Sequence, residues 1–213
     1  MPSRTKSPSA EDNVRQIEIY HRAAQIFHEK GFDATSMSDI AEAVNLTKAG
    51  LYYYIDSKED LLFAIMEYAM SMLQEQVIDP AKGTADPEER LSLILQNHAR
   101  LVMGNNKTIT ILTDEMAGLN PKHHKLIISR KRDYFDLVRS TLEELIALKK
   151  IKPLNTTVMA YSIFGMLLWL PRWYNPQGNL TCDDVILNLK SLLYGGIGET
   201  PAALEFALRN GHA

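Results

Sequence analysis

The chain, whose length permits one domain or two small ones, reads as all-α. Three observations predict this. Apolar residues recur at a period near 3.6 in every long segment, and no run has the turn-strand-turn cadence of a sheet. Hydroxyl and carboxylate side chains stand three residues apart at Ser36/Asp39, Ser57/Asp60 and Thr181/Asp184, the pattern of the capping box. Asp86-Pro87-Glu88-Glu89, Asn120-Pro121 and Thr200-Pro201 place proline where the first turn of a helix has no use for its amide.

The opening MPSRTKSPSAED is polar and rich in serine and proline, so residues 1–12 are expected to form a flexible arm, from which Arg4 and Lys6 reach solvent or phosphate. No signal peptide is visible in it. A short helix should begin near Met37 behind the Ser36 cap, with Ile40, Ala41 and Val44 buried and Glu42 and Asn45 outside. Asn45 tolerates the left-handed conformation that ends a helix, Leu46 can turn toward the core, and Thr47 can cap the next one. A turn this short between two short helices is that of a helix-turn-helix. Leu51 and Ile55 then anchor the second helix, which leaves Lys48, Ala49, Tyr52 and Tyr53 facing outward. A long helix follows from Lys58 to about Val77.

Those outward residues suit a nucleic acid. Lys48 near a helix start reaches base edges or phosphate, and the small Ala49 and Gly50 let backbone approach a major groove. Tyr52 and Tyr53 carry hydroxyls on rigid arms, and Lys58 stands in a helix first turn, where an anion is favoured. Plain packing is the competing reading for the tyrosines, but Leu51 and Ile55 already fill the inner face.

From about Asn13 to Met72 the chain, with AAQIFHEKGFDATSMSDIAEAVNLTKAGLYYYIDSKEDLL within it, resembles the DNA-binding domain of the TetR family of transcriptional repressors. The resemblance implies that Gly31 and Phe32 close the first helix and that Thr35 precedes the second. It also implies that Tyr52 and Lys58 occupy phosphate-contact positions. Thr35, Ser36, Thr47, Lys48, Ala49, Gly50, Tyr52, Tyr53 and Lys58 are therefore the expected DNA-binding set. Ala49 stands where glycine is common and Ile55 where phenylalanine is usual. The fold class this implies is a three-helix helix-turn-helix domain plus a C-terminal helical ligand-binding and dimerisation domain over 73–213.

Composition is compatible but silent about DNA. A chain of 213 residues with 46% hydrophobic side chains can bury a sizeable core, yet its formal charge is −3. A few lysines on one face suffice for specific binding while carboxylates lie elsewhere. The one cysteine, Cys182, excludes an intrachain disulfide and fits a reducing cytoplasm.

Beyond Met72 a loop is expected from Asp79-Pro80 to Asp86, then helices. Leu154 to Pro171 holds no charged residue, and Val158, Tyr161, Phe164, Met166, Leu167, Leu168, Trp169 and Leu170 surround its axis. The run is shorter than the ~20 apolar residues a membrane span needs, so it reads as a buried helix. The helix after Thr181 carries Val185, Ile186, Leu189, Leu192 and Leu193 on one face. Pairing the last two helices with a symmetry mate would make a four-helix bundle, with Tyr161, Met166, Val185, Ile186, Leu189 and Leu193 at the homodimer interface. A dimer also suits double-stranded DNA, since two recognition helices about 34 Å apart read a near-palindromic operator.

Met103, Met116, Met159 and Met166 with Phe135, Phe164, Tyr161 and Trp169 form either core or an adaptable apolar pocket. LLWLPRWYNPQGNLTCDD is similar to the C-terminal part of TetR-family members that sense acyl-CoA thioesters. That likeness implies a small-molecule effector, with Trp169 on its acyl or ring part and Arg172 on a carboxylate or phosphate. Asn175 and Gln177 stand where charged residues are usual. The expected effector set is Met116, Phe135, Tyr161, Phe164, Trp169, Arg172 and Trp173. The basic run Lys122 to Arg132 is either a nucleotide-phosphate contact or a solvated helix face.

No cofactor, metal or catalytic site is expected. His123 and His124 are adjacent and diverge by about 100° on a helix, which is poor geometry for one ion. Asp114-Glu115 is an adjacent pair better suited to a helix end or a pocket acceptor than to acid/base work. LYGGIG lacks the strand and lysine of a phosphate loop and reads as a helix stop. An α-helical acyl-thioester enzyme and a protein-interaction bundle are the alternative functions. The first lacks a convergent acid, base or nucleophile, and the second would show no salt-dependent DNA affinity.

Overall fold

The computed structural model describes residues 10–104 and 107–197. The expected arm through Ser9 and the Thr200-Pro201 helix start lie outside the described residues. All described segments are helices or their connections, with no sheet. The chain divides into two compact units. The first holds the chain through Ala69 together with Lys107–Lys125; the second holds the remainder.

The first unit begins with α1, Ala10–Lys30, which is already helical at Ala10 and so shortens the expected arm. Glu11 and Asp12 in its first turn complement the free amides there. Ile19, Ala23 and Phe27, spaced four apart, lie on its buried face. Gly31 adopts φ 83°, which a side chain would disfavour, and its N–H donates to the Phe27 carbonyl at 2.9 Å. Next come α2, Met37–Ala43, and α3, Lys48–Tyr52. The long α4, Lys58–Leu73, starts in this unit and buries Leu61, Leu62, Ile65, Met66 and Ala69.

An element that local sequence did not announce completes the unit. α7, Lys107–Asp114, packs along α1, with the hydroxyl of Thr108 3.0 Å from Nδ1 of His21. A single 3-10 turn, Met116–Gly118, follows. Gly118 sits so close to Phe32 and Leu62 that an added Cβ would lie 2.7 and 2.8 Å from their ring and methyl carbons. Only glycine fits there without displacing a buried side chain.

The second unit contains α5, Asp79–Lys82; α6, Pro87–Met103; most of α8, Pro121–Ala147; α9, Thr156–Trp173; and α10, Cys182–Ile197. α6 is its centre, burying Leu91, Ile94, Leu95, His98, Ala99 and Val102, with α9 and α10 packed on it.

The loop expected at Asp79-Pro80 is a correction. α4 runs through a π-helical turn, Gln74–Ile78, into α5, and the chain bends away only at Gly83. Pro80 cannot donate to the carbonyl four residues back, Gln76, and the side-chain amide of Asn97 on α6 donates to that oxygen instead, at 2.9 Å.

α9 and α10 also depart from expectation. Within the protomer Val158, Tyr161 and Trp169 are 62%, 65% and 60% exposed, so α9 is buried on one face only. Val185, Ile186 and Leu193, assigned above to the dimer interface, are buried inside the protomer, whereas Leu192 is 70% exposed. The buried face of α10 also includes Lys190 and Tyr194, whose apolar stems line it. Their polar tips reach the Gln96 side-chain oxygen at 3.0 Å and the Glu88 carbonyl at 3.3 Å.

Candidate nucleic-acid interface and effector site

The recognition element is built by caps. The Ser36 hydroxyl accepts from the Asp39 amide at 3.2 Å while the Asp39 carboxylate accepts from the Ser36 amide at 2.8 Å, which closes the capping box. The Ser36 hydroxyl and amide, then Lys30, stabilise the Asp39 carboxylate and hold its pKa at about 2. α2 stops where Asn45 turns to φ 53°, its N–H bonded to the Glu42 carbonyl. Thr47 then caps α3, accepting from the Gly50 amide at 3.0 Å. Ile40, Ala41, Val44 and Leu51 are buried, and Leu46 is half-buried.

Leu51 is the one buried residue of α3. Ile55 lies past the end of that helix, half-buried, so the expected two-point anchor reduces to one. Lys48 and Ala49 are exposed, Gly50 is half-buried, and Tyr52 and Tyr53 are 43% and 76% exposed. Tyr53 is braced edge-on by Tyr54, with ring centroids 5.1 Å apart. The outward face of α3 and the residue that ends it thus join a cation, small residues and two phenols.

Two members of the expected set have other roles. Thr35 is 2% exposed and its hydroxyl donates to the Gly31 carbonyl at 2.8 Å, so its side chain locks the turn after α1. The Lys58 ammonium donates to the carbonyls of Phe32 at 2.8 Å and Thr35 at 3.0 Å, with Asp33 at 3.4 Å, and lies 4.3 Å from the Phe32 ring centroid. It therefore caps the α1–α2 turn from within. Lys58→Met is expected to cost about 1.5–3 kcal/mol of stability, the range for bonds to a charged group. Urea unfolding checks this, and an unchanged midpoint would contradict the internal role.

In the second unit α8 and α9 bring three expected effector residues together. Phe135 lies 4.7 Å from Tyr161 and 6.1 Å from Phe164, centroid to centroid. Phe164 also meets Tyr134 edge-on at 5.2 Å and His98 at 6.1 Å. Farther along α9, Arg172 stacks over the Trp169 ring at 5.0 Å, and Trp173 is 49% exposed. Met116 is half-buried and belongs to the first unit.

Sequence reading passed over His98 and Tyr134, because a histidine and a tyrosine in amphipathic helices carry no motif. His98 is fully buried, and Nδ1 lies 3.0 Å from the Tyr134 hydroxyl. Burial lowers its pKa to about 4 and pushes the Tyr134 phenol far up, so both are neutral at pH 7. Nε2 of His98 has no hydrogen-bond partner among the described residues.

A capped helix-turn-helix with an outward cationic, phenolic face, on a chain with a larger helical unit, defines a DNA-binding regulator. The family description "Bacterial regulatory proteins, tetR family" matches residues 19–65, and "Tetracyclin repressor-like, C-terminal domain" matches 84–197. The chain belongs to the TetR family of transcriptional regulators.

Among solved relatives, AibR in complex with isovaleryl coenzyme A and operator DNA is 35% identical with a TM-score of 0.78. That match covers 85% of this chain and 97% of AibR. The HTH-type transcriptional repressor KstR2 of Mycobacterium tuberculosis is 26% identical over 191 residues, covering 87% of this chain and 94% of KstR2. The fatty acid metabolism regulator protein of Bacillus subtilis is 23% identical over 154 residues, 72% of this chain and 79% of that protein. No helix among the described residues is long and apolar enough to cross a membrane.

Proposed function

We propose that the protein is a homodimeric repressor of the cytoplasm that leaves a near-palindromic operator when an apolar acyl-CoA-type effector occupies its second unit. The observation that carries the DNA half is the outward face of α3, with Lys48, Ala49, Tyr52 and Tyr53 exposed around a single buried anchor. Ser36 and Thr47, whose hydroxyls cap α2 and α3, and the backbone at Gly50 complete the proposed contact set. Their work is binding, not catalysis.

The dimer reading rests on the apolar faces that α9 and α10 leave uncovered, with Val158 and Tyr161 on one and Leu192 on the other. Met166 and Leu189, half-buried, edge these faces. A second copy covers them and supplies the second recognition helix. Leu192→Glu is expected to yield a folded monomer with at least about ten-fold weaker operator binding, because two heads linked at high effective concentration are lost. Sedimentation and anisotropy read both quantities, and a stable dimer would contradict the assignment.

The effector reading is supported by AibR, crystallised with isovaleryl coenzyme A, by the aromatic cluster of Phe135, Tyr161 and Phe164, and by the Trp169–Arg172 stack farther along α9. Arg172 suits a phosphate or carboxylate, and the rings suit an acyl chain. An effector acts by favouring a form that places the two heads wrongly for adjacent grooves, with α4 as the lever. The test uses an operator selected from random DNA and a panel of acyl-CoAs titrated into the complex. Release is expected, and retention of the operator throughout the panel would contradict the effector class.

A further inference from the structure

His98 on α6 and Tyr134 on α8 form a buried polar pair in the second unit, and Nε2 of His98 is left without a partner among the described residues. Their proton arrangement follows from counting partners. If Nδ1 carried the proton and donated to the phenol oxygen, the Tyr134 O–H and the bare Nε2 would both be orphaned. If the phenol donates to Nδ1, the proton sits on Nε2 and only that N–H is left unmet. The second arrangement leaves one buried orphan instead of two, and Tyr134 holds the ring in it.

A buried N–H donor without an acceptor is costly, and among the described residues none accepts from it. Phe164 stands beside both members of the pair, and Phe135 and Tyr161 continue the aromatic wall. An apolar surface with one fixed donor recognises an apolar molecule that carries one strong acceptor. We propose that His98 Nε2–H is the specificity-determining donor of the effector site, reading the carbonyl oxygen of an acyl thioester, with Tyr134 as its positioning residue.

This rests on the effector reading above, and goes beyond it by naming the group that is read. A saturated thioether of the same chain has the same shape and apolar surface but no carbonyl.

The experiment compares isovaleryl-CoA with S-(3-methylbutyl)-CoA, and octanoyl-CoA with S-octyl-CoA, by calorimetry on the full chain. Wild type is expected to favour the thioester by about ten-fold, the scale set by a buried donor met or left unmet. His98→Phe is expected to bind both members of a pair alike, and Tyr134→Phe to narrow the preference while retaining it. The 15N shifts of His98 in unliganded wild type give an independent reading, expected to show the proton on Nε2. Should His98→Phe fail to fold, the tautomer and Tyr134→Phe still decide. Equal binding of thioester and thioether by wild type, an undiminished preference in His98→Phe, or a proton on Nδ1 each overturns the proposal while the effector reading stands. Binding of neither class by wild type overturns both.

Discussion

Leu51→Ala is expected to cost about 2–5 kcal/mol and to abolish operator binding. α3 has only five residues, too few to persist by helix propensity, and Leu51 is its one fully buried side chain. Truncation leaves a cavity beneath α3, which packs on α2, and the tether that aims Lys48 and the tyrosines goes with it. Thr47 would still cap the helix, but one capping bond is worth only about 1 kcal/mol. Thermal unfolding and operator titration read the two consequences. A loss below about 0.5 kcal/mol, with DNA affinity intact, would mean that α3 is held by something other than Leu51.

Acid is expected to weaken the second unit through His98. Its folded pKa of about 4 lies below the ordinary histidine value near 6.5, and burial is the cause. Between those values the unfolded chain takes up a proton that the folded chain refuses, so stability falls as pH falls. The loss begins near pH 6.5, reaches on the order of 3 kcal/mol near pH 4, and then levels off as the folded state also protonates. His98→Phe removes this dependence, although it strands the Tyr134 hydroxyl and lowers stability at neutral pH. The slope of stability against pH is therefore the quantity to compare. Identical slopes in the two proteins would contradict a buried, neutral His98.

The parts of the fold legible in the sequence are those fixed by neighbours along the chain. Ser36 with Asp39, Asn45, and Thr47 over Gly50 are contacts within three residues or a single backbone dihedral, so residue type and spacing announce them. What escaped reading depends on partners far away. Lys58 looked like a phosphate ligand because it opens a helix, but the turn from Phe32 to Thr35 folds back to occupy it. Thr35 disappears into the same turn.

Asp79-Pro80 looked like a helix break because the amide that rescues Gln76 comes from Asn97 on another helix. On α10 the inward face was misplaced because Lys190 counts as polar in any periodicity, although its stem is buried and its tip finds Gln96. That displaced Val185, Ile186 and Leu193 from the interface into the core. His98 was invisible for a related reason: its significance lies in an unmatched nitrogen, which only packing reveals.

The central claim is that the outward face of α3 reads DNA through Lys48 and the adjacent tyrosines. Its most direct test is anisotropy titration of a selected operator at several salt concentrations, comparing wild type with Lys48→Ala and Tyr53→Phe. Both variants should remain folded, because both side chains are exposed. Lys48→Ala should weaken binding about 5- to 150-fold if it meets a base, or lower the salt slope by about 1 if it meets a phosphate, and Tyr53→Phe should weaken it less. Wild-type affinity and salt slope in both variants would contradict the claim.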